Sequence, residues 1–268
     1  MLHSIRLFFT GILVNLQFFT SIPIKKQFSL NQHQLTYALQ TFPLLGLLQG
    51  SIYAAFLYVL QSFTPFTDLI ITLFLWLLLI MLSGGIHLDG WIDTSDAYFS
   101  YKSPEKRLEI MKDPRIGAFG VLSVIVFLFT RFIVLYELIQ ARETTILLFI
   151  VLIPFFGKML LGVFLQMLPP ARKDGMASFF QQGKNNLLYL MYLIYLVVIG
   201  IFIFWMQLDL LPVYFLFITV TLITSIFIAK WIIKNFNGIT GDTLGASSEG
   251  MELILWLTLL LLHFCAMV

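Results

Sequence analysis

Seven stretches of the chain are each long and apolar enough to cross a lipid bilayer: residues 37–60, 68–85, 117–139, 145–166, 187–206, 212–232 and 251–267. A helix needs about 20 mostly apolar residues to span the hydrocarbon core. Inside that core every backbone N–H and C=O must be satisfied within the protein. The expectation is an all-α fold: a polytopic membrane helix bundle of about seven transmembrane helices, forming one integral-membrane domain over residues 1–268. Composition removes the soluble alternative. Only 11% of the residues are charged and 59% are hydrophobic, whereas a soluble domain carries about 25% charged residues.

The first ~22 residues are apolar but interrupted by Asn15, Gln17 and Pro23. They fit an amphipathic helix lying in the membrane interface better than a full span. No cleavable signal peptide is expected, because no small-residue cleavage site follows the early apolar run. The one cysteine, Cys265, excludes a disulfide framework or a cysteine-based metal site.

Orientation follows from lysine and arginine. With seven spans, four basic segments fall on one side: Arg6, Lys25 and Lys26; Lys102, Lys106, Arg107, Lys112 and Arg115; Arg172, Lys173 and Lys184; Lys230 and Lys234. Arg142 stands alone on the other. The positive-inside rule assigns the basic side to the cytoplasm. The chain is thus expected in the cell (inner) membrane, multi-pass, with its polar loops cytoplasmic.

The second span ends in GGIHLDGWIDTSDA, residues 84–97. Asp89, Asp93 and Asp96 are spaced by four and three, so on a helix they form one stripe. Three carboxylates on one stripe repel one another unless a cation neutralises them. A hard divalent ion such as Mg²⁺ takes a few carboxylates and completes its shell with water and phosphate oxygens. Ionisable groups at this depth are functional by default. The plain alternative is a helix end with solvated acids. Gly90 lets a ligand approach the backbone. His87 lies nearly opposite the stripe and is open to three readings: a partner behind the metal ligands, a proton carrier, or ordinary loop polarity.

Residues 102–120 follow. Ser103 as N-cap and Pro104 at the first helical position predict a short helix ending near Asp113, stopped by Pro114. Lys112, Asp113 and Arg115 suit contact with a phosphorylated substrate beside a carboxylate-bound metal. The stretch 237–250, NGITGDTLGASSEG, reads as a turn-rich loop whose exposed N–H groups can cradle phosphate. Thr240, Gly241 and Thr243 are its substrate-binding candidates. Asp242 either holds a second metal or accepts a proton. The alternative is a polar connector with Ser247 or Ser248 as a helix cap. In 169–180, Arg172 is a further substrate-binding candidate, although the positive-inside rule alone accounts for it. Two charges fall within spans. Lys158 is expected to reach the acidic cluster and to serve function. Arg131 is expected to be structural and to snorkel outward.

GGIHLDGWIDTSDA, EKRLEIMKDPRIGAFG and GITGDTLGA, in that order, resemble the cobalamin synthase family. FFTSIPI (18–24) and TFPLLGLLQG (41–50) match its early pattern. The chain departs from the pattern at Ala97, where glycine is usual, and at Gly157–Lys158, where Ser-Arg is common. The resemblance implies a reaction: a hydroxyl of ribazole, or of its 5′-phosphate, attacks the cobinamide-side phosphorus of adenosylcobinamide-GDP and GMP leaves, with Mg²⁺ required. It also implies the lipid bilayer and other cobalamin-assembly enzymes as partners, and no nucleic acid. Two rivals stand beside it. One is a membrane phosphotransferase acting on another nucleotide-activated alcohol, as in the CDP-alcohol phosphotransferases. The other is a cation transporter with its acids along an ion path.

Overall fold

A computed structural model describes residues 2–28, 30–141 and 145–266. Arg142, the lone basic residue of the opposite side, lies outside them. The described chain is helical, with no strand beyond one isolated bridge between Pro170 and Ile239. Its helices are α1 (Leu2–Phe19), α2 (Gln32–Phe63), α3 (Asp68–Ser83), α4 (Ile86–Phe99), α5 (Pro104–Ile110), α6 (Ala118–Gln140), α7 (Ile146–Met167), α8 (Met176–Phe180), α9 (Leu187–Met206), α10 (Leu211–Phe236) and α11 (Gly241–Ala266).

Among the described residues six helices are long and apolar enough to cross a membrane: α2, α6, α7, α9, α10 with its leading turn, and α11. The seventh expected span is broken. α3 ends at Ser83, and the chain turns by 84° into α4. Gly84 and Gly85 both adopt left-handed backbone, with φ of 65° and 73°. Two such residues in succession suit glycine and stop a helix cleanly. We read α3 as the spanning part and α4 as turned aside from it. The acidic stripe therefore belongs to a separate helix and not to the end of a span.

α7 is the most enclosed helix, packed closely on α2. Gly46 and Gly50 of α2 bring its backbone against Pro154 and Val151 of α7, where a Cβ would collide. Small residues four apart permit this close approach between membrane helices. α1 packs on the first turns of α2. Its Gly11 faces the Tyr37 and Ala38 backbone. Asn15 is fully buried and donates to the Ala38 carbonyl at 2.8 Å and to Thr41 Oγ1 at 3.1 Å. The polar interruption in α1 is thus a helix–helix hydrogen bond.

The polar connections gather at one end of the bundle. Arg107 Nη1 donates to Asn235 Oδ1 at 2.6 Å, Asn237 Nδ2 to Glu105 Oε1 at 3.0 Å, and Arg172 to the Leu108 carbonyl. The Pro170–Ile239 bridge ties two of these segments together. Segments far apart in sequence thereby frame one polar face.

Candidate active site

α4 is pressed into the start of α11. A Cβ on Gly90 would lie 2.6 Å from the Asp242 carbonyl oxygen, and one on Gly245 would lie 3.0 Å from His87 Cα. Gly90 therefore admits the α11 backbone, where the sequence suggested a ligand. Residues 241–250 are helical and largely buried, not a loop. Thr240 and Thr243 begin the helix by exchanging bonds: Thr240 N donates to Thr243 Oγ1 at 2.8 Å, and Thr243 N to Thr240 Oγ1 at 3.1 Å. This reciprocal pairing satisfies two free N–H groups at the helix start. Those two threonines are thus occupied in capping, and the N-terminal cap falls at Thr240 rather than at Ser247 or Ser248, which lie inside α11.

Asp89, Asp242 and His87 line one cavity of about 240 Å³, walled elsewhere mainly by apolar side chains of α1, α2, α7 and α8. Gly241 and Asp242 also border a second cavity of about 190 Å³, which contains Arg172, Asp174 and Thr240. Asp242 thus stands on the wall between a mainly apolar chamber and a polar one that holds a guanidinium and a second carboxylate, Asp174. Asp93 is half-buried beside them. Burial, followed by the nearby charges of Asp89, Asp242 and Asp96, pushes its carboxyl up to about 6. Asp96 turns away. Its Oδ1 accepts from Gly120 N at 3.4 Å, and Gly117 and Gly120 leave room for it at the start of α6. A carboxylate there complements the helix dipole.

Among the described residues no three His, Cys, Asp or Glu side chains close into a metal cage. The mutual repulsion of Asp89, Asp93 and Asp242 nevertheless suits a hard cation held by one or two carboxylates and completed by phosphate oxygens. The donor set fits Mg²⁺ in that open form.

The two basic candidates on the 102–120 loop stand apart. Lys112 is exposed. Arg115 Nη2 is paired with Asp113 Oδ2 at 2.6 Å and holds that carboxyl down to about 2. Neither side chain lines the two cavities.

Beneath the acidic site lies a buried ion cluster that sequence reasoning did not assemble. Lys158 Nζ donates to Glu252 Oε1 at 2.9 Å and to Ser248 Oγ at 3.2 Å, and lies 3.5 Å from His87 Nδ1. Arg131 Nη2 is 2.7 Å from Glu249 Oε2, and its guanidinium rests over the Phe127 ring. Arg131 is 3% exposed, so it does not snorkel outward: its two acidic partners reach it inside the bundle. Lys158 is likewise held by buried partners and does not line the cavity. Glu249 escaped notice because 237–250 reads as a connector, and Glu252 because it falls at the start of the apolar run 251–267. The available signal was two acids three residues apart beside an apolar run.

A model of the cobalamin-5-phosphate synthase family matches residues 11–260. The chain belongs to that family. It is 35% identical to the adenosylcobinamide-GDP ribazoletransferase of Geobacillus sp. (strain WCH70), over 97% of this chain and 98% of the relative. It is 36% identical to the enzyme of that name from Geobacillus thermodenitrificans (strain NG80-2), over 98% and 99%. A third such relative, from Halalkalibacterium halodurans, is 33% identical over 92% and 93%. No solved structure matches the chain. The matched region contains both helices that bring acids to the polar end, α4 and the first turns of α11.

Proposed function

We propose that the chain joins ribazole, or its 5′-phosphate, to adenosylcobinamide-GDP with release of GMP, at the cytoplasmic face of the membrane. The relatives carry that activity in their names. One observation carries the placement: Asp242, from the start of α11, forms the wall between the Asp89 chamber and the Arg172 chamber.

The chemistry needs a hydroxyl, a diphosphate and somewhere for a proton to go. Arg172 offers a guanidinium to phosphate oxygens in its chamber. Asp89 and Asp93 would hold Mg²⁺, which when bound neutralises charge developing on the diphosphate. The acceptor hydroxyl enters from the Asp89 side, and Asp242 on the dividing wall accepts its proton as the new O–P bond forms. The bond from that phosphorus to the bridging oxygen breaks, and GMP leaves through the Arg172 side. Thr240 and Thr243 hold Asp242 in register by fixing the first turn of α11. Asp96 does the same for α4 against α6. Lys112, exposed on the same connection as α5, would contribute only to long-range attraction of an anionic substrate, and Arg115, paired with Asp113, less so.

The test is direct. Purified protein with adenosylcobinamide-GDP, ribazole and Mg²⁺ should release GMP, and chelation should stop it. Asp89→Asn and Asp93→Asn should each lower turnover by at least about a hundredfold, since each keeps shape and removes a charge. Undiminished turnover in both variants would remove the metal assignment, and no GMP from the wild type would remove the reaction.

A further inference from the structure

The chamber beside Asp89 has an unusual polar inventory. Its inner wall is aromatic. Phe19, Phe42 and Phe180, from α1, α2 and α8, pack edge to face, with ring centroids 5.0 Å apart for Phe19–Phe42 and 5.5 Å for Phe19–Phe180. At its mouth stand Asp89 and Asp242. Between wall and mouth the polar side chain lining it is His87, which is 3% exposed. Among the described residues its Nε2 has no hydrogen-bond partner.

The buried ion cluster settles what that nitrogen is. Lys158 is an ammonium and can only donate. Two of its neighbours are acceptors, Glu252 Oε1 and Ser248 Oγ, and the third is His87 Nδ1 at 3.5 Å. Glu249 Oε1 is 4.0 Å from Nδ1, beyond hydrogen-bond reach, so Nδ1 is assigned its lone pair toward the nearer donor, Lys158, and the ring proton is assigned to Nε2. A buried N–H facing apolar walls is costly until something accepts from it. The chamber asks for a flat, mostly apolar ligand with a single acceptor.

This argument rests on the ribazole-transfer reading, which supplies three ligand parts to choose from. A corrin macrocycle is far too large for about 240 Å³. Guanine fits by size, but its exocyclic amine and ring N–H would have to be met by Asp89 and Asp242, which this reading commits to the metal and to the acceptor hydroxyl, and the apolar walls offer them nothing else. The base of ribazole is a dimethylated benzimidazole. In its nucleoside it has one free ring nitrogen, which accepts, and no donor. We propose that this chamber is the acceptor-base subsite. The bicyclic base lies among Phe19, Phe42 and Phe180, His87 Nε2–H donates to its free ring nitrogen, and the ribose faces Asp89 and Asp242. His87 is then a fixed donor that orients the acceptor, not a proton carrier. Lys158 acts through it as a positioning residue.

The experiment compares ribazole with the matching dimethylindole riboside, which has the same shape but a C–H in place of the free nitrogen. With the wild-type protein and adenosylcobinamide-GDP, the indole riboside should lose about tenfold in kcat/KM, the scale of one hydrogen bond. In His87→Leu the two acceptors should become equal, because the group that distinguishes them is gone. Ala177, 4% exposed on the chamber wall, offers a second route that leaves the ion cluster intact. Ala177→Leu should raise KM for ribazole about tenfold or more and leave KM for adenosylcobinamide-GDP within about twofold. Equal use of both acceptors by the wild type, or an Ala177→Leu effect that falls on adenosylcobinamide-GDP instead, would overturn the subsite. The transfer reading fails separately, by absence of GMP release. In that case equilibrium dialysis of ribazole against wild type and Ala177→Leu still decides the subsite: weaker binding to the variant supports it, and equal binding overturns it.

Discussion

Lys158 and Asp93 are charges under opposite constraints. Lys158 is sealed among Glu252, Ser248 and His87. Removing one member of a buried ion pair leaves an uncompensated charge and costs about 3–5 kcal/mol. Lys158→Met should therefore lower the melting temperature sharply in detergent, and Lys158→Met/Glu252→Gln should recover much of the loss. A double variant no more stable than the single would show that the pair is not coupled. Asp93 is held near its own kind, with its carboxyl raised to about 6 from the ordinary 3.8. In the metal-free protein the folded state binds that proton more tightly than the unfolded chain does. The resulting stability is present below about 3.8 and is lost as pH climbs through about 6. Without divalent cations the melting temperature should fall over that window. Mg²⁺ should restore it at pH ~7.5 more than at pH ~5, and Asp93→Asn should flatten both effects. The spacing of the acids was legible in the sequence, and so was the depth of Lys158. Its partners were not, because Ser248 lies in a stretch that reads as a polar connector and Glu252 at the start of the last apolar run, and only packing shows that they face α7.

At the scale of elements, the contact between α4 and α11 determines whether the acids meet. That contact is made by backbone. Gly90 faces the Asp242 carbonyl, and Gly245 faces His87. Gly90→Ala should push the two helices apart and lower GMP release by about tenfold or more while the protein remains folded, a displacement of the order of 1 Å being enough for that loss. Gly85→Ala makes the useful contrast. It has open space around its missing Cβ but sits at φ 73°, so its cost is conformational. It should lose about 1–2 kcal/mol of stability, and Gly85→Asn should recover part of that. Equal activity for Gly90→Ala and wild type would show that the close crossing is not needed. The two glycines at 84–85 read in the sequence as part of the second span, and the break they make is not legible there. Nor is the direction taken by the chain after them, since it is set by packing against α6 and α11. The start of α11 was misread for a related reason. GDTLGASSEG is polar and small because helices surround it, and small side chains are what a tight crossing requires. α5 was legible from Ser103, Pro104 and Pro114, although Ser103 makes no side-chain capping bond.

At the scale of the whole molecule, the arrangement of charge and the arrangement of helices agree. The connections carrying Arg107, Arg172 and Asn237 are bonded to one another at one end of the bundle, and the acids of α4 and α11 open onto the same end. The basic segments carrying Arg107 and Arg172 meet there, and under the proposed orientation that end faces the cytoplasm. That shared end was legible in the order of spans. The 84° turn after α3 lays α4 against α6 and the start of α11. Orientation can be tested with single cysteines in a Cys265→Ser background. Lys112 and Lys173 are exposed at the polar end, and Gln207, between α9 and α10, is exposed at the other. An impermeant thiol reagent applied to intact cells should label Gln207→Cys and spare Lys112→Cys and Lys173→Cys; inverted vesicles should give the reverse. Labelling of Lys112→Cys or Lys173→Cys from outside would turn the bundle over and place the transfer chemistry away from the cytoplasm. Agreement at only one of those two positions would separate α5 from the loop after α7, against the Arg172 bond that joins them.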